Sequence, residues 1–211
     1  MYGLEQPDPC SGTWVTIAQM NYRRAQVQMV VLDGFLYGLG GMENGGYTSI
    51  VEKYDPIEQF WTEVDSMSQG RYVLNQFQYM TSCKHLFYHF RCTPGVAVGD
   101  GKLFVVGGLG DNLIGPPGPL KTAEFYDPNS DTWTLLPDMY FPRHSPSVAY
   151  KNNRLYVIGG GSPAPILRPG PERTIEVFDF DRHEWFVHPM KIPGRANAIY
   201  VSAFFDNLEI E

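Results

Sequence analysis

Four tryptophans, Trp14, Trp61, Trp133 and Trp185, are each followed ten residues later by an arginine: Arg24, Arg71, Arg143 and Arg195. The chain has no other tryptophan. A recurrence of this size restricts the fold to a stack of like supersecondary units, because each unit must bury its apolar face against the next. Other marks keep step. Gly40-Gly41, Gly107-Gly108 and Gly159-Gly160 close the apolar runs Phe35-Leu36-Tyr37, Leu103-Phe104-Val105-Val106 and Leu155-Tyr156-Val157-Ile158. Seven residues before the last three tryptophans stand Tyr54-Asp55-Pro56, Tyr126-Asp127-Pro128 and Phe178-Asp179-Phe180. Glu52, Glu124 or Glu176 lies two before each of these aromatics, and Met20, Met67, Met139 or Met190 lies five or six after each tryptophan.

Each unit reads as four short strands. The first follows the arginine (27–31, 96–98, 148–150, and 199–201 at the end). Asp33-Gly34, Asp100-Gly101 and Asn152-Asn153 then supply the positive φ that a two-residue hairpin needs. The second strand is the apolar run, and its double glycine admits a close backbone approach that a side chain would block. The third carries the glutamate and aromatic, the fourth the tryptophan. Continuous apolar runs belong to strands covered on both faces, so the fold class is all-β, with four-stranded sheets stacked as propeller blades. The 22 glycines and 17 prolines, and aromatics at 14% of residues, suit such a turn-rich chain.

Charge and cysteine usage narrow the partners. A net charge of -7 is unlike the basic face of a nucleic-acid binder. No apolar run is long enough to span a membrane as a helix, and residues 1–10 lack the basic-then-apolar order of a signal peptide. Three irregularly spaced cysteines suit a reducing compartment, with cytoplasm the expected location.

The double glycine, Tyr-Asp-Pro, Trp and Arg in this order resemble the kelch repeat, whose members form β-propellers. The resemblance runs from about Thr13 to Val201, with Phe180 in place of the proline in the last complete unit. It implies an N-terminal tail (1–12), a last strand of one blade (13–20), blades at about 24–67, 91–139 and 143–190, a first strand of the next (195–203) and a C-terminal tail (204–211). Kelch propellers usually close with six blades, so the resemblance also implies a piece or an isoform of a longer protein.

An insertion interrupts the repeat. Trp61 to Trp133 spans 72 residues against 52 from Trp133 to Trp185, an excess of 20. Arg71 keeps its distance after Trp61, whereas Arg91 keeps the distance of 16 before Gly107. Excising Tyr72 to Arg91, or Arg71 to Phe90, restores the register, and the sequence leaves Arg91 the preferred member of the arginine series. The inserted stretch, 71–91, reads either as a translated intron or as an ordinary loop. It holds Cys83, His85 and His89, with Cys92 just beyond. Four such ligands suit zinc in type, but their crowding lacks two separated pairs, so no metal is expected.

Catalytic readings fare poorly. Gly107-Gly108-Leu109-Gly110 and Gly159-Gly160-Gly161 have neither the helix nor the lysine of a phosphate-binding loop. Some kelch-like propellers are copper oxidases or sugar-processing enzymes. Outside the insertion the chain offers only His144, His183 and His188, and no acid–base pair can be assigned. No enzyme and no cofactor are expected. The structural marks of the repeat are Gly40, Gly41, Trp61, Gly107, Gly108, Trp133, Gly159, Gly160 and Trp185. The tryptophans are expected to fill the space between adjacent sheets.

By resemblance to kelch adaptors, the partner-binding rim is Arg24, Arg91, Arg143 and Arg195. The alternative is that these arginines bind loop carbonyls and brace the ring. A guanidinium fork matches carboxylates, so acidic peptide motifs are the implied ligand chemistry. The rim loops Leu109 to Thr122 and Gly161 to Thr174 are longer than Met42 to Thr48, and carry Pro117-Gly118-Pro119 and Pro169-Gly170-Pro171. Proline lowers the entropy lost on docking, and Lys121, Arg168 and Arg173 are expected as peripheral contacts. The resemblance implies a substrate-recognition propeller of a cullin-type ubiquitin ligase adaptor. It would reach the cullin only through an upstream BTB domain absent from this sequence. Binding to actin, or a truncated product without stable activity, are the other readings.

Overall fold

The computed structural model describes residues 3–8, 10–44, 46–71, 94–110, 118–161, 173–190 and 192. Every regular element among them is a strand: β1 (Gly3–Pro7), β2 (Trp14–Gln19), β3 (Gln28–Leu32), β4 (Phe35–Leu39), β5 (Met42–Glu43), β6 (Gly46–Tyr47), β7 (Val51–Asp55), β8 (Phe60–Val64), β9 (Gly95–Gly99), β10 (Lys102–Val106), β11 (Leu109–Gly110), β12 (Gly118–Pro119), β13 (Ala123–Asp127), β14 (Thr132–Leu135), β15 (Ser147–Lys151), β16 (Arg154–Ile158), β17 (Ile175–Asp179) and β18 (Glu184–Val187). They make three antiparallel four-stranded sheets, β3-β4-β7-β8, β9-β10-β13-β14 and β15-β16-β17-β18, plus the pair β1-β2. The small hairpins β5-β6 and β11-β12 belong to loops between second and third strands. One expectation is corrected: the segment assigned to an N-terminal tail contains β1, which pairs with β2 and so acquires a strand's backbone partners.

Local chemistry explains the hairpins. Asp33 and Gly34 (φ 50° and 83°), Asp100 and Gly101 (52° and 64°), and Asn152 and Asn153 (51° and 57°) all take the left-handed conformation that matches strand twist. The turn from third to fourth strand uses the aspartate of the repeat. Asp55 Oδ1 accepts the amides of Ile57 and Glu58, and Asp179 Oδ1 those of Asp181 and Arg182. A proline after the aspartate is therefore dispensable. Phe180 donates its amide to the Asn153 carbonyl, and its ring packs on Phe178 and Phe104.

The sheets stack face to face, with cores between them rather than within them. Leu32, Tyr37, Leu39, Val51 and Met67 of the first sheet meet Leu103, Val105 and Tyr126 of the second. Phe104, Val106, Ala123, Leu136 and Met139 of the second meet Leu155, Val157, Phe178 and Trp185 of the third. The leading strands β9 and β15 lie side by side. Gly95 and Gly99 of β9 leave the space that Val148 and Tyr150 of β15 occupy.

Candidate interaction rim

The connections between sheets open on the same side as the loops between second and third strands. There Ala25 bridges to Met42, Leu120 to Arg143 and His144 to Gly161. Beneath this rim a single arrangement occurs three times. Arg24 donates to the carbonyls of Gly40 (2.6 Å) and Ile50 (2.7 Å) and to Glu52 Oε2 (2.6 Å). Arg71 donates to the Gly107 carbonyl, to Thr122 Oγ1 (2.9 Å) and to Glu124 Oε1 (2.9 Å). Arg143 donates to the Gly159 carbonyl, to Thr174 Oγ1 (2.6 Å) and to Glu176 Oε1 (2.7 Å). All six charged side chains of these pairs are completely buried. Burial pushes the Arg71 guanidinium below its usual value, and Glu124 beside it pulls the other way.

Each glutamate does a second task. It accepts the backbone N–H three residues before its arginine: Asn21 on Glu52 (2.7 Å), Ser68 on Glu124 (2.9 Å) and Tyr140 on Glu176 (2.7 Å). The arginine's own carbonyl serves the preceding sheet, since Gly41 N–H donates to the Arg71 carbonyl and Gly108 N–H to that of Arg143. This contact requires glycine. Gly40 and Gly107 have positive φ, and a Cβ on either would collide with the carbonyl oxygen of Arg71 or Arg143.

The tryptophans seal the outer side. Trp133 Nε1 donates to the Asp65 carbonyl (2.8 Å), and Trp185 Nε1 to that of Pro137 (2.7 Å), each on the preceding sheet. Asp131 Oδ1 accepts both the Asp65 amide (3.0 Å) and the Tyr126 hydroxyl (2.7 Å). These bonds hold the Asp131 carboxyl below its ordinary value, the Asp65 amide contributing most. Burial first, and then the bond to Asp131, pushes the Tyr126 phenol up.

Two expectations change. Arg24 and Arg143 are buried beneath the rim rather than displayed on it. Their charge is spent on carbonyls and a glutamate, which is the bracing alternative. The place given to Arg91 is filled by Arg71, so the extra residues follow the arginine instead of preceding it. Arg91, Arg168 and Arg195 lie outside the described residues, as do Cys83, His85, His89 and Cys92. Lys121 and Arg173 are exposed, each directly before the threonine whose hydroxyl binds the buried arginine. His144 lies on the rim, and His183 is exposed in a turn at φ 55°. Among the described residues no three His, Cys, Asp or Glu side chains group as metal ligands, and no helix is long and apolar enough to cross a membrane. Sequence reasoning recorded the three glutamates only as marks. Their invariant place two residues before the aromatic was the signal for a shared partner.

With double glycine, arginine, glutamate and tryptophan in equivalent slots, the comparison with known sequences is decisive. The Kelch motif matches residues 23–68, 91–140 and 142–187, more than half of the chain. The chain belongs to the kelch-repeat family. Its three sheets are the blades of an incomplete kelch-type β-propeller. Kelch-like protein 26 of Danio rerio is 33% identical over 153 residues, covering 72% of this chain and 21% of the relative. An F-box/kelch-repeat protein of Arabidopsis thaliana is 34% identical over 112 residues, 53% of this chain and 19% of its own. Kelch-like protein 36 of Bos taurus is 23% identical over 217 residues, covering 86% and 34%. The chain thus spans about a fifth to a third of the length of these curated relatives. A solved structure described as "Structure of YjhT" superposes with a TM-score of 0.57 at 17% identity, over 86% of this chain and 58% of that one, a likeness of fold. The second kelch match begins at residue 91, but the hydrogen bonds assign the brace of that blade to Arg71.

Proposed function

We propose that this kelch chain is a non-catalytic protein-recognition module that meets its partner on the rim of blade connections and long loops. One observation carries the reading. The framework under the rim repeats three times in the same hydrogen bonds, while what stands above it differs from blade to blade: Ser49, Lys121 and Arg173 occupy one equivalent position. A rigid base under variable loops is the arrangement in which recognition commonly resides. Lys121 and Arg173, with Arg168, are the proposed contacts, and acidic peptide segments the proposed ligand class. No cofactor, nucleic acid or membrane takes part, and the setting is cytoplasmic.

Similarity to Kelch-like proteins, with the resemblance to kelch adaptors, supports a finer reading: the substrate-recognition part of an adaptor for a cullin-type ubiquitin ligase, joined to its scaffold through an upstream BTB domain. A second reading is an incomplete product without stable activity. Trp14 is 68% exposed where its counterpart Trp185 is 5% exposed.

Affinity purification of the tagged protein from its own cells, with quantitative mass spectrometry, tests the assignment. Recovery of a cullin scaffold with the longer product, and of a client whose abundance rises when the scaffold is inhibited, is the expected result. Cosedimentation with filamentous actin and no cullin would transfer the module to the cytoskeleton. Aggregation and rapid proteolysis of the purified chain would favour the incomplete product.

A further inference from the structure

Three positions frame each buried Arg–Glu brace from outside. The first donates its backbone N–H to the glutamate. The second sits opposite that glutamate on the fourth strand, and the third precedes the residue whose carbonyl or hydroxyl binds the arginine. Around the first blade's brace these are Asn21, Glu63 and Ser49. Around the second they are Ser68, Leu135 and Lys121, and around the third Tyr140, Val187 and Arg173. The first set is polar and acidic. The third is apolar and basic, and the second already carries a leucine and a lysine.

These side chains reach water. Leu135 and Tyr140 are each 57% exposed and Val187 44%, and Lys121 and Arg173 are exposed beside them. They form one surface. The Met139 N–H donates to the Lys121 carbonyl, which sets Lys121 against the chain at Tyr140. The Tyr140 hydroxyl donates to the Trp185 carbonyl (3.1 Å), two residues from Val187. Beyond Val187, the His188 N–H donates to Ile175, two residues from Arg173. Asp138 is the exposed carboxylate in this connection, and Glu176 beneath is neutralised by Arg143. In a chain of net charge -7, the described residues thus place two exposed cations, Lys121 and Arg173, around an aromatic and two aliphatic side chains.

From this we infer that the outer rim of the second and third blades docks an acidic segment of a partner protein: an apolar side chain seats on Tyr140 and Val187, and flanking carboxylates meet Lys121 and Arg173. The inference rests on the recognition reading above and adds to its cations an apolar anchor at Tyr140 and Val187. An apolar anchor ringed by charge is a common form of interface centre, and exposed cations contribute most to rate and selectivity. The first blade cannot share the site, since Glu63 would repel the same carboxylates.

The test is selection of a random peptide library on the immobilised full chain, followed by binding of the selected peptides to variants. Enriched peptides should carry an apolar residue between two acidic ones. Lys121→Glu combined with Arg173→Glu should weaken them at least tenfold, Tyr140→Ala at least threefold, and added salt should weaken them further. Thermal melting of each variant controls for folding, and Glu63→Gln serves as a rim change that should leave binding intact. Enrichment of peptides that bind the double charge reversal and Tyr140→Ala as well as the parent would overturn this surface while leaving recognition standing. Failure to enrich any peptide would count against the recognition reading itself.

Discussion

The junction between the second and third blades and the open face of the first blade are built from the same repeat, yet they end in opposite states. At the junction, Trp185 is buried and donates to Pro137, and Val148 and Tyr150 pack across the glycines of β9. On the first blade's upstream face the equivalent residues of β3, Met29 and Val31, are 39% and 60% exposed. Trp61 is buried but its Nε1 has no acceptor among the described residues, where Trp133 and Trp185 each find one on the preceding sheet. A kelch mark therefore specifies a contact that exists only when both neighbours are present. The sequence pattern is a property of junctions.

The sharpest way to break the comparison is to remove one partner of a junction brace. Arg143→Met leaves Glu176 buried without its counter-charge and should cost ~3–5 kcal/mol, read by chemical denaturation. Replacing both residues with apolar ones should recover a large part of that loss. The tryptophans come next. Trp185→Ala should cost ~3–5 kcal/mol and Trp14→Ala well under ~1 kcal/mol, compared by melting temperature. Equal effects would erase the distinction between sealed and open faces. Gly107→Ala forces a Cβ against the Arg143 carbonyl at positive φ and should destabilise by more than ~1 kcal/mol.

A smaller effect is expected from the insertion. Arg71 holds the brace, and Pro94 packs at Gly108 as Pro146 packs at Gly160. Excising residues 72–91 should preserve the fold and add up to ~2 kcal/mol by shortening the chain between Arg71 and Pro94. The smallest effect is acid sensitivity of the outer clasp. The Asp131 carboxyl lies below its ordinary value in the folded chain, so its contribution is complete above the unfolded carboxylate range. That contribution disappears as pH falls through the lowered value. Asp131→Asn should flatten the acid limb of the stability profile, and an unchanged limb would show that the clasp contributes nothing.

Much of this architecture was legible because strand order follows local marks. Hairpin pairs such as Asn152-Asn153 and the double glycines act within a few residues, so their meaning survives without tertiary knowledge. The braces were harder. Arg24 and Glu52 are 28 residues apart, but Arg71 and Glu124 are 53 apart, and no local rule pairs groups at such unequal separations. The insertion compounded this, since spacing to Gly107 favoured Arg91 while Arg71 makes the bonds. Burial was also hidden: an arginine series on connecting segments looks like a binding face until the carbonyls around it are in view. The rim residues Tyr140 and Val187 carry no mark of their own, and only superposing the three braces brings them together.

One guanidinium and its own carbonyl tie Arg143 to two sheets at once. Peeling a blade away would strand a carboxylate in its neighbour, so partial opening is penalised twice. The cooperative unit is then the seam, and the amides of Gly41 and Gly108 should exchange hydrogen as slowly as the molecule as a whole unravels.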